Sequence, residues 1–218
     1  EFFLLKIAGM TWFDAINHAM ATMSTGGFST KNASIAHYDS FPLIQYIIII
    51  FMFIAGANFV LTYFALKGKI SKVFKSEEFK YYFFGTIGVT LLITFLIVNY
   101  QDFNLVTSLN HTTIWGETES AFRHAAFSVV SVLTTTGFVS ADFTMWNSMI
   151  TAIIFSLFFI GGSAGSTSGG IKIVRHIIMI KSSFYEFKKL LHPNAIIPVR
   201  YDGGSVPKSI IYNILSFF

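Results

Sequence analysis

The sequence predicts an all-α membrane protein built from repeats of helix, re-entrant loop and helix, and three observations carry that expectation. Of 218 residues, 53% are hydrophobic and only 12% are charged, and the mean hydropathy is +0.62. A soluble domain would lack the polar surface to cover such a chain, whereas lipid solvates its 26 Phe without penalty. Several apolar stretches reach the roughly 20 residues that a helix needs to cross a hydrocarbon core about 30 Å thick. Two short Thr- and Gly-rich stretches, each between a short helix and an apolar span, recur about one hundred residues apart, a period suited to duplicated membrane modules.

Taken in order, EFFLLKIAG reads as the tail of an outward span, and Met10 to Met23 as a short helix that delivers the chain to Ser24-Thr25-Gly26-Gly27-Phe28. Leu43 to Leu66 is apolar on every face and is read as one continuous span. Asn58 is its main polar interruption, expected at mid-span as a hydrogen-bonding group toward a neighbouring helix or the pore. Lys67, Lys69, Lys72, Lys75 and Lys80 come next, and such a basic excess marks the cytoplasmic side. Phe79 to Val98 then runs outward, which places Asn99 to Phe143 outside.

Within that outer region, Thr118 to Leu133 is helical by pattern and apolar toward its end, yet it must enter and leave on the same face: a re-entrant helix. Thr134-Thr135-Thr136-Gly137-Phe138 comes directly after it and aligns with the earlier Gly-Phe stretch. A third span begins near Met145, runs to Ile160, breaks at Gly161 to Gly170 and resumes as IKIVRHIIMI, so the break lies at membrane depth. Lys172, Arg175, Lys181, Lys188, Lys189, Arg200 and Lys208 put the chain beyond the glycine run in the cytoplasm. His192 to Pro207 carries the Pro and Gly punctuation of an ordered connector, and Ser205 to Phe218 reads as the start of a further span. With no initiator Met, both ends are read as cuts in a longer chain.

Irregular backbone is tolerated at membrane depth only where protein buries it or where it lines a watery cavity. A re-entrant helix aims its negative C-terminal end at the bilayer centre, and extended residues beyond it can offer carbonyl oxygens in place of an ion's water shell. That arrangement favours cations. Thr adds a hydroxyl oxygen and Gly a backbone free to turn its carbonyl toward an axis, with Phe28 and Phe138 packed behind. The competing reading is two ordinary polar turns between helices. The run Gly161-Gly162-Ser163-Ala164-Gly165-Ser166-Thr167-Ser168-Gly169-Gly170 is either a close helix-packing surface or a movable gate, since ten small residues hold no stable helix. Lys172 and Arg175, one turn apart, either hold the loop's end or form the ordinary positive flank.

Other chemistries fit poorly. Gly161 to Gly165 satisfies GxSxG, but a long apolar helix precedes Ser163 where a nucleophile elbow needs a strand, and His176 is the sole nearby base. No Gly-Lys-Ser/Thr succeeds the glycines, against a phosphate loop. There is no Cys, the six His show no metal spacing, and the basic residues flank apolar runs rather than marking a nucleic-acid surface. Glu117 and Glu119 suit the start of a helix, and Arg123, too deep to stand alone, is expected to pair with Glu119 one turn back. His18 and His124 are expected to pack within the two short helices. An alternating-access cation transporter would also show repeats and a broken helix, but commonly inverted ones, and a scaffolding subunit would not need two such loops.

STGGFST (Ser24 to Thr30), TTTGFVSADF (Thr134 to Phe143) and GGSAGSTSGGIK (Gly161 to Lys172) resemble the second filter, the third filter and the third intramembrane loop of the TrkH/KtrB superfamily of potassium transporters. The resemblance covers essentially the whole chain. It implies a potassium-channel-like pore module of four repeats in one polypeptide. Residues 1–70 would then supply the second repeat, 71–191 the third with its gate loop, and 192–218 a cytoplasmic connector and the start of the fourth. By the same resemblance, carbonyls of Thr25, Gly26, Gly27, Thr135, Thr136 and Gly137 line the ion path, and the glycine loop blocks it from below. The first stretch has Gly26 where the second has Thr136, so the two sites need not be equivalent. It further implies a bacterial inner-membrane homodimer with a cytoplasmic ring of nucleotide-binding regulatory subunits on the basic stretch, potassium as cargo, and no cofactor or enzymatic activity.

Overall fold

The computed structural model describes residues 1–100, 115–191 and 198–218. The predicted outer region is therefore outside the described residues at 101–114, as is the connector at 192–197. The chain opens with α1 (Phe2–Ile7) and α2 (Trp12–Met23), the latter capped by Thr11, whose hydroxyl accepts from Asp14 N at 3.1 Å. A 3-10 turn (Ser34–Tyr38) leads to α3 (Pro42–Ala55), where Pro42 occupies the first turn, a place that needs no N–H donor. Then come α4 (Phe59–Leu66), α5 (Ile70–Lys75), α6 (Glu77–Tyr100), α7 (Glu117–Leu133), α8 (Ser148–Leu157), α9 (Ile173–Leu191) and α10 (Lys208–Phe217).

The continuous span expected over Leu43 to Leu66 is not one helix. α3 and α4 meet at Gly56-Ala57-Asn58 with a bend of 113°. Asn58 begins the new helix, its side-chain oxygen accepting from Val60 N at 2.9 Å, so the polar residue expected at mid-span is instead a cap at a corner. Among the described residues α6 alone is long and apolar enough to cross a membrane unaided; the bent α3–α4 pair passes the same test as a broken span, and α8 is a shorter apolar helix.

α7 is the hub. From Ser120 to Leu133 every residue except Phe122 is buried, and the helix packs on both α3 and α6. Its two faces feed separate cores: Phe127 and Val130 join Leu5, Ile44, Ile48 and Met52, while Ala125 and Val129 join Ile93, Ile97, Ile150 and Ile154. A polar cluster closes the N-terminal end of α7. The fully buried Arg123 donates from Nη1 to Asp39 Oδ1 (3.0 Å) and Gln45 Oε1 (2.6 Å), and from Nε to Glu119 Oε1 (3.0 Å). Gln45 Nε2 in turn donates to Asp39 (3.0 Å) and Tyr46 OH to Glu119 (2.8 Å). The expected Arg123–Glu119 pair is thus present, as one edge of a network that joins α7 to the first turns of α3 and to Asp39 just before it.

The described part of the connector forms a two-stranded hairpin, β1 (Arg200–Tyr201) and β2 (Gly204–Ser205), paired antiparallel as Arg200↔Ser205 and Tyr201↔Gly204. Its turn residues Asp202 and Gly203 both have positive φ, 46° and 78°, as a two-residue hairpin turn requires. Asp202 Oδ1 accepts from Glu77 N at 2.7 Å and so caps α6. Lys181 of α9 donates both to the Glu77 carboxylate and, at 3.0 Å, to Arg200 O, tying the hairpin to two helices.

Candidate functional site

The turns that end α2 and α7 are copies of one another at an offset of 110 residues. After α2, Thr25 N donates to Thr22 O (3.0 Å) and Gly26 N to Ala21 O (2.8 Å); after α7, Thr135 N donates to Val132 O and Thr136 N to Ser131 O, both at 2.9 Å. This pairing pattern is the Schellman closure, and the residue at its left-handed position is normally Gly. Here it is Thr25 (φ 50°) and Thr135 (φ 55°), and the left-handed conformation recurs at Gly27 (φ 67°) and Gly137 (φ 82°). A β-branched residue there costs roughly 1–2 kcal/mol relative to its preferred backbone region. The same choice in both copies ties that cost to the hydroxyls.

Each hydroxyl reaches the glycine-rich loop. Thr25 Oγ1 donates to Thr167 O at 3.0 Å, sharing its proton with Ser24 O at 2.7 Å, and Thr135 Oγ1 accepts from Gly169 N at 2.6 Å. Thr167 Oγ1 returns the contact to Met23 O (3.2 Å) and Ala55 O (3.3 Å). The two turns also abut, since a side-chain carbon on Gly27 would collide with the carbonyl oxygen of Thr136. Just beyond, Ala36 N donates to Val139 O (3.0 Å) and Val139 N to Ser34 Oγ (3.3 Å), cross-linking the two segments that follow the turns. Each segment is tethered to its own helix by corresponding pairs, Thr30 Oγ1 to Asp14 Oδ1 (2.5 Å) and Ser140 Oγ with His124 Nδ1 (3.2 Å).

The loop fills the α3–α4 corner, and each satisfies backbone groups that the other leaves open. Ser163 N donates to Gly56 O (2.9 Å) and Phe59 N to Gly165 O (3.2 Å). The loop closes on itself where Gly161 N donates to Ile171 O (2.8 Å) and Ile173 N to Gly162 O (3.1 Å). Side chains at Gly161 or Gly162 would strike the carbonyl of Gly169 or the hydroxyl of Ser168, and one at Gly162 would also lie 2.6 Å from Gly56 O. Glu78 Oε1 accepts from Ala164 N at 2.6 Å, and Lys172 Nζ donates to the carbonyls of Ser166 (3.4 Å) and Ser168.

The sequence profile of TrkH, described as a cation transport protein, matches residues 6–218. The chain belongs to the TrkH family. It is 37% identical over 215 residues to the Trk system potassium uptake protein TrkH of Escherichia coli K12, covering 98% of this chain and 42% of that protein. It is 34% identical over 212 residues to the TrkH of Halomonas elongata, covering 97% and 41%. The crystal structure of the potassium transporter TrkH from Vibrio parahaemolyticus superposes with a TM-score of 0.86 at 32% identity, over 100% of this chain and 44% of that one. The chain therefore spans about two-fifths of the length of these relatives.

This TrkH-family chain brings the sequence-predicted residues except Arg175 into one assembly: the two turns touch each other and the loop, and Lys172 holds the loop. Arg175 instead lies over the ring of Phe217 at 4.5 Å, a flank position on α9. Phe138 is buried and meets the His18 ring at 5.8 Å, as expected, but Phe28 is 81% exposed because no described element covers it. His18 and His124 are both fully buried in their helices. Ser163 is buried with its backbone spent on Gly56, and the family is one of ion transporters, not enzymes. Sequence reasoning missed Glu78, whose place beside Lys80 made it one more flanking charge, and Asp39, which no helical spacing links to Arg123.

Proposed function

We propose that this chain supplies two cation-coordinating turns and the gate loop of a potassium-uptake pore. Membership of the TrkH family and the potassium-uptake relatives support the cargo. The observation that carries the mechanism is that one glycine-rich loop is hydrogen-bonded to the equivalent threonine of both turns, through Thr167 and Gly169. In this reading α2 and α7 are re-entrant pore helices, and the carbonyls of Thr25, Gly26, Gly27, Thr135, Thr136 and Gly137 replace the water shell of the ion. The positive φ at the first and third residues of each turn, Thr25 and Gly27, Thr135 and Gly137, supports a backbone shaped to present its carbonyls.

Gly161 to Gly170 then forms the closed gate beneath the turns, with Lys172 clamping its far end, and Arg175 belongs to the cytoplasmic flank. Closed, the loop occupies hydroxyls that a permeating cation would otherwise meet. Two abutting turns with one loop seated against both fit a gated continuous path better than alternating access. The whole protein would be a multi-pass inner-membrane homodimer whose gate answers to cytoplasmic nucleotide-binding regulatory subunits docked on the basic segments around α9.

The test is tracer uptake of potassium, rubidium and sodium into liposomes bearing the full-length parent protein, comparing wild type, Gly137→Ser and deletion of 161–170. Relaxed selectivity in the first variant and raised flux in the second are expected. Unchanged cation flux in both would make these glycines packing residues and end the pore reading.

A further inference from the structure

The gate loop has a contact that neither turn provides. Glu78 is only 4% exposed, and a carboxylate so placed needs donors. It takes one from Ala164 N at 2.6 Å, in the middle of the loop, and it lines the same cavity as Asn58 at the α3–α4 corner. One side chain thus joins the start of α6 to the loop beside the corner. Its neighbour Glu77 has separate partners. The Glu77 N–H is capped by Asp202 at 2.7 Å, and its carboxylate takes Lys181 from α9, the helix that leaves the loop. Residues 77 and 78 share one helical turn, so a displacement of the hairpin that pulls on Glu77 N also moves the carboxylate of Glu78.

We propose that Glu78 is a positioning residue, the latch that holds the 161–170 loop shut, and that the Asp202 hairpin sets the latch through the first turn of α6. This rests on the gate reading of that loop. The bond is short and its donor is a backbone amide with no other acceptor among the described residues, so losing the acceptor leaves that amide unpaired. Gln at position 78 keeps an acceptor oxygen for Ala164 N, whereas Ala removes it. The hairpin is cytoplasmic by the charge pattern and stands beside Lys72, Lys75 and Lys181, so it is a handle within reach of a soluble partner.

The experiment uses the full-length parent protein in liposomes without regulatory subunits, with rubidium tracer flux and the rubidium-to-sodium ratio as readouts. Glu78→Ala is expected to raise basal flux about tenfold, the shift in closed-to-open ratio that a lost bond of ~1.4 kcal/mol produces, with the ion ratio unchanged. Glu78→Gln should stay near wild type, Asp202→Ala should raise flux by a smaller factor, and Glu78→Ala should add nothing once 161–170 is deleted. A residue that merely supported the fold would lower flux with or without the loop and would not be rescued by Gln. If loop deletion raises flux while Glu78→Ala does not, the latch is wrong and the gate stands. If loop deletion itself leaves flux unchanged, the gate reading falls and the latch with it. A rise for Glu78→Ala with none for Asp202→Ala refutes the role of the hairpin.

Discussion

Replacing Arg123 with Met tests whether the buried cluster at the head of α7 holds the two turn-bearing halves together. The guanidinium is fully buried and uses Nη1 on Asp39 and Gln45 and Nε on Glu119, at 2.6–3.0 Å. Met matches the stem but removes the cation that two carboxylates share. Truncating one partner of a buried ion pair costs ~3–5 kcal/mol, most of it from the charge left behind. Glu119 contributes little to that cost, since its side chain is 18% exposed and keeps the Tyr46 hydroxyl. Asp39 keeps Gln45 Nε2 at 3.0 Å, but at 9% side-chain exposure it is the more buried carboxylate and carries the larger share. Adding Asp39→Asn to Arg123→Met should therefore recover on the order of 1–3 kcal/mol, a coupling expected only of groups in direct contact. Lys at 123 keeps the charge but not the fork and should fall between Met and Arg. The measurement is equilibrium unfolding of the full-length parent in detergent, for the single variants and the double. A loss below ~1 kcal/mol for Arg123→Met, or strict additivity with Asp39→Asn, would refute the assignment of the cluster as a structural joint.

Two further variants probe the turns directly. Gly27→Ala adds a carbon that strikes the Thr136 carbonyl at a left-handed position, whereas at Gly26 the nearest atoms are Ser24 Oγ at 3.2 Å and Phe28 Cδ2 at 3.3 Å. Gly27→Ala should therefore abolish rubidium-over-sodium discrimination or assembly, and Gly26→Ala should retain both; equal effects would deny the close contact of the two turns. Thr135→Val keeps the shape and deletes the acceptor for Gly169 N, so it should raise basal flux, while Thr135→Ser should not. A rise in both variants would mean that the hydroxyl does not hold the loop.

Much of the element order was legible because lipid imposes a simple rule: long apolar runs, and glycine or threonine where a run must stop. The ends of α6 and α7 lie within two residues of the apolar limits read from the sequence. The corner at Gly56-Ala57-Asn58 was not legible, since a mean over Leu43 to Leu66 conceals one small-residue step, and what stabilises that step is a loop more than a hundred residues later. The equivalence of the two turns was visible in the Gly-Phe pairs, but the left-handed threonines were not, because local preference argues against Thr there and a distant hydrogen bond overrules it. Arg123 announced its need for a partner by its depth, and Glu119 by spacing; Asp39 and Gln45 come from a segment whose approach only the tertiary fold decides.

The mutual satisfaction of corner and loop has a consequence for water. In place, the loop covers Gly56 O, Phe59 N and the carbonyl of Ala55 with its own backbone and the Thr167 hydroxyl. Any movement that withdraws the loop strips those groups of partners, and in a lipid-surrounded interior only entering water can replace them. Opening would then be a wetting transition, with several ordered waters taken up for each gate released. Excluded osmolytes, which penalise hydration of newly exposed surface, should bias the population toward closure even though they touch neither the ion nor the loop. A basal flux insensitive to such solutes would mean that the loop carries its hydrogen-bond partners with it when it moves.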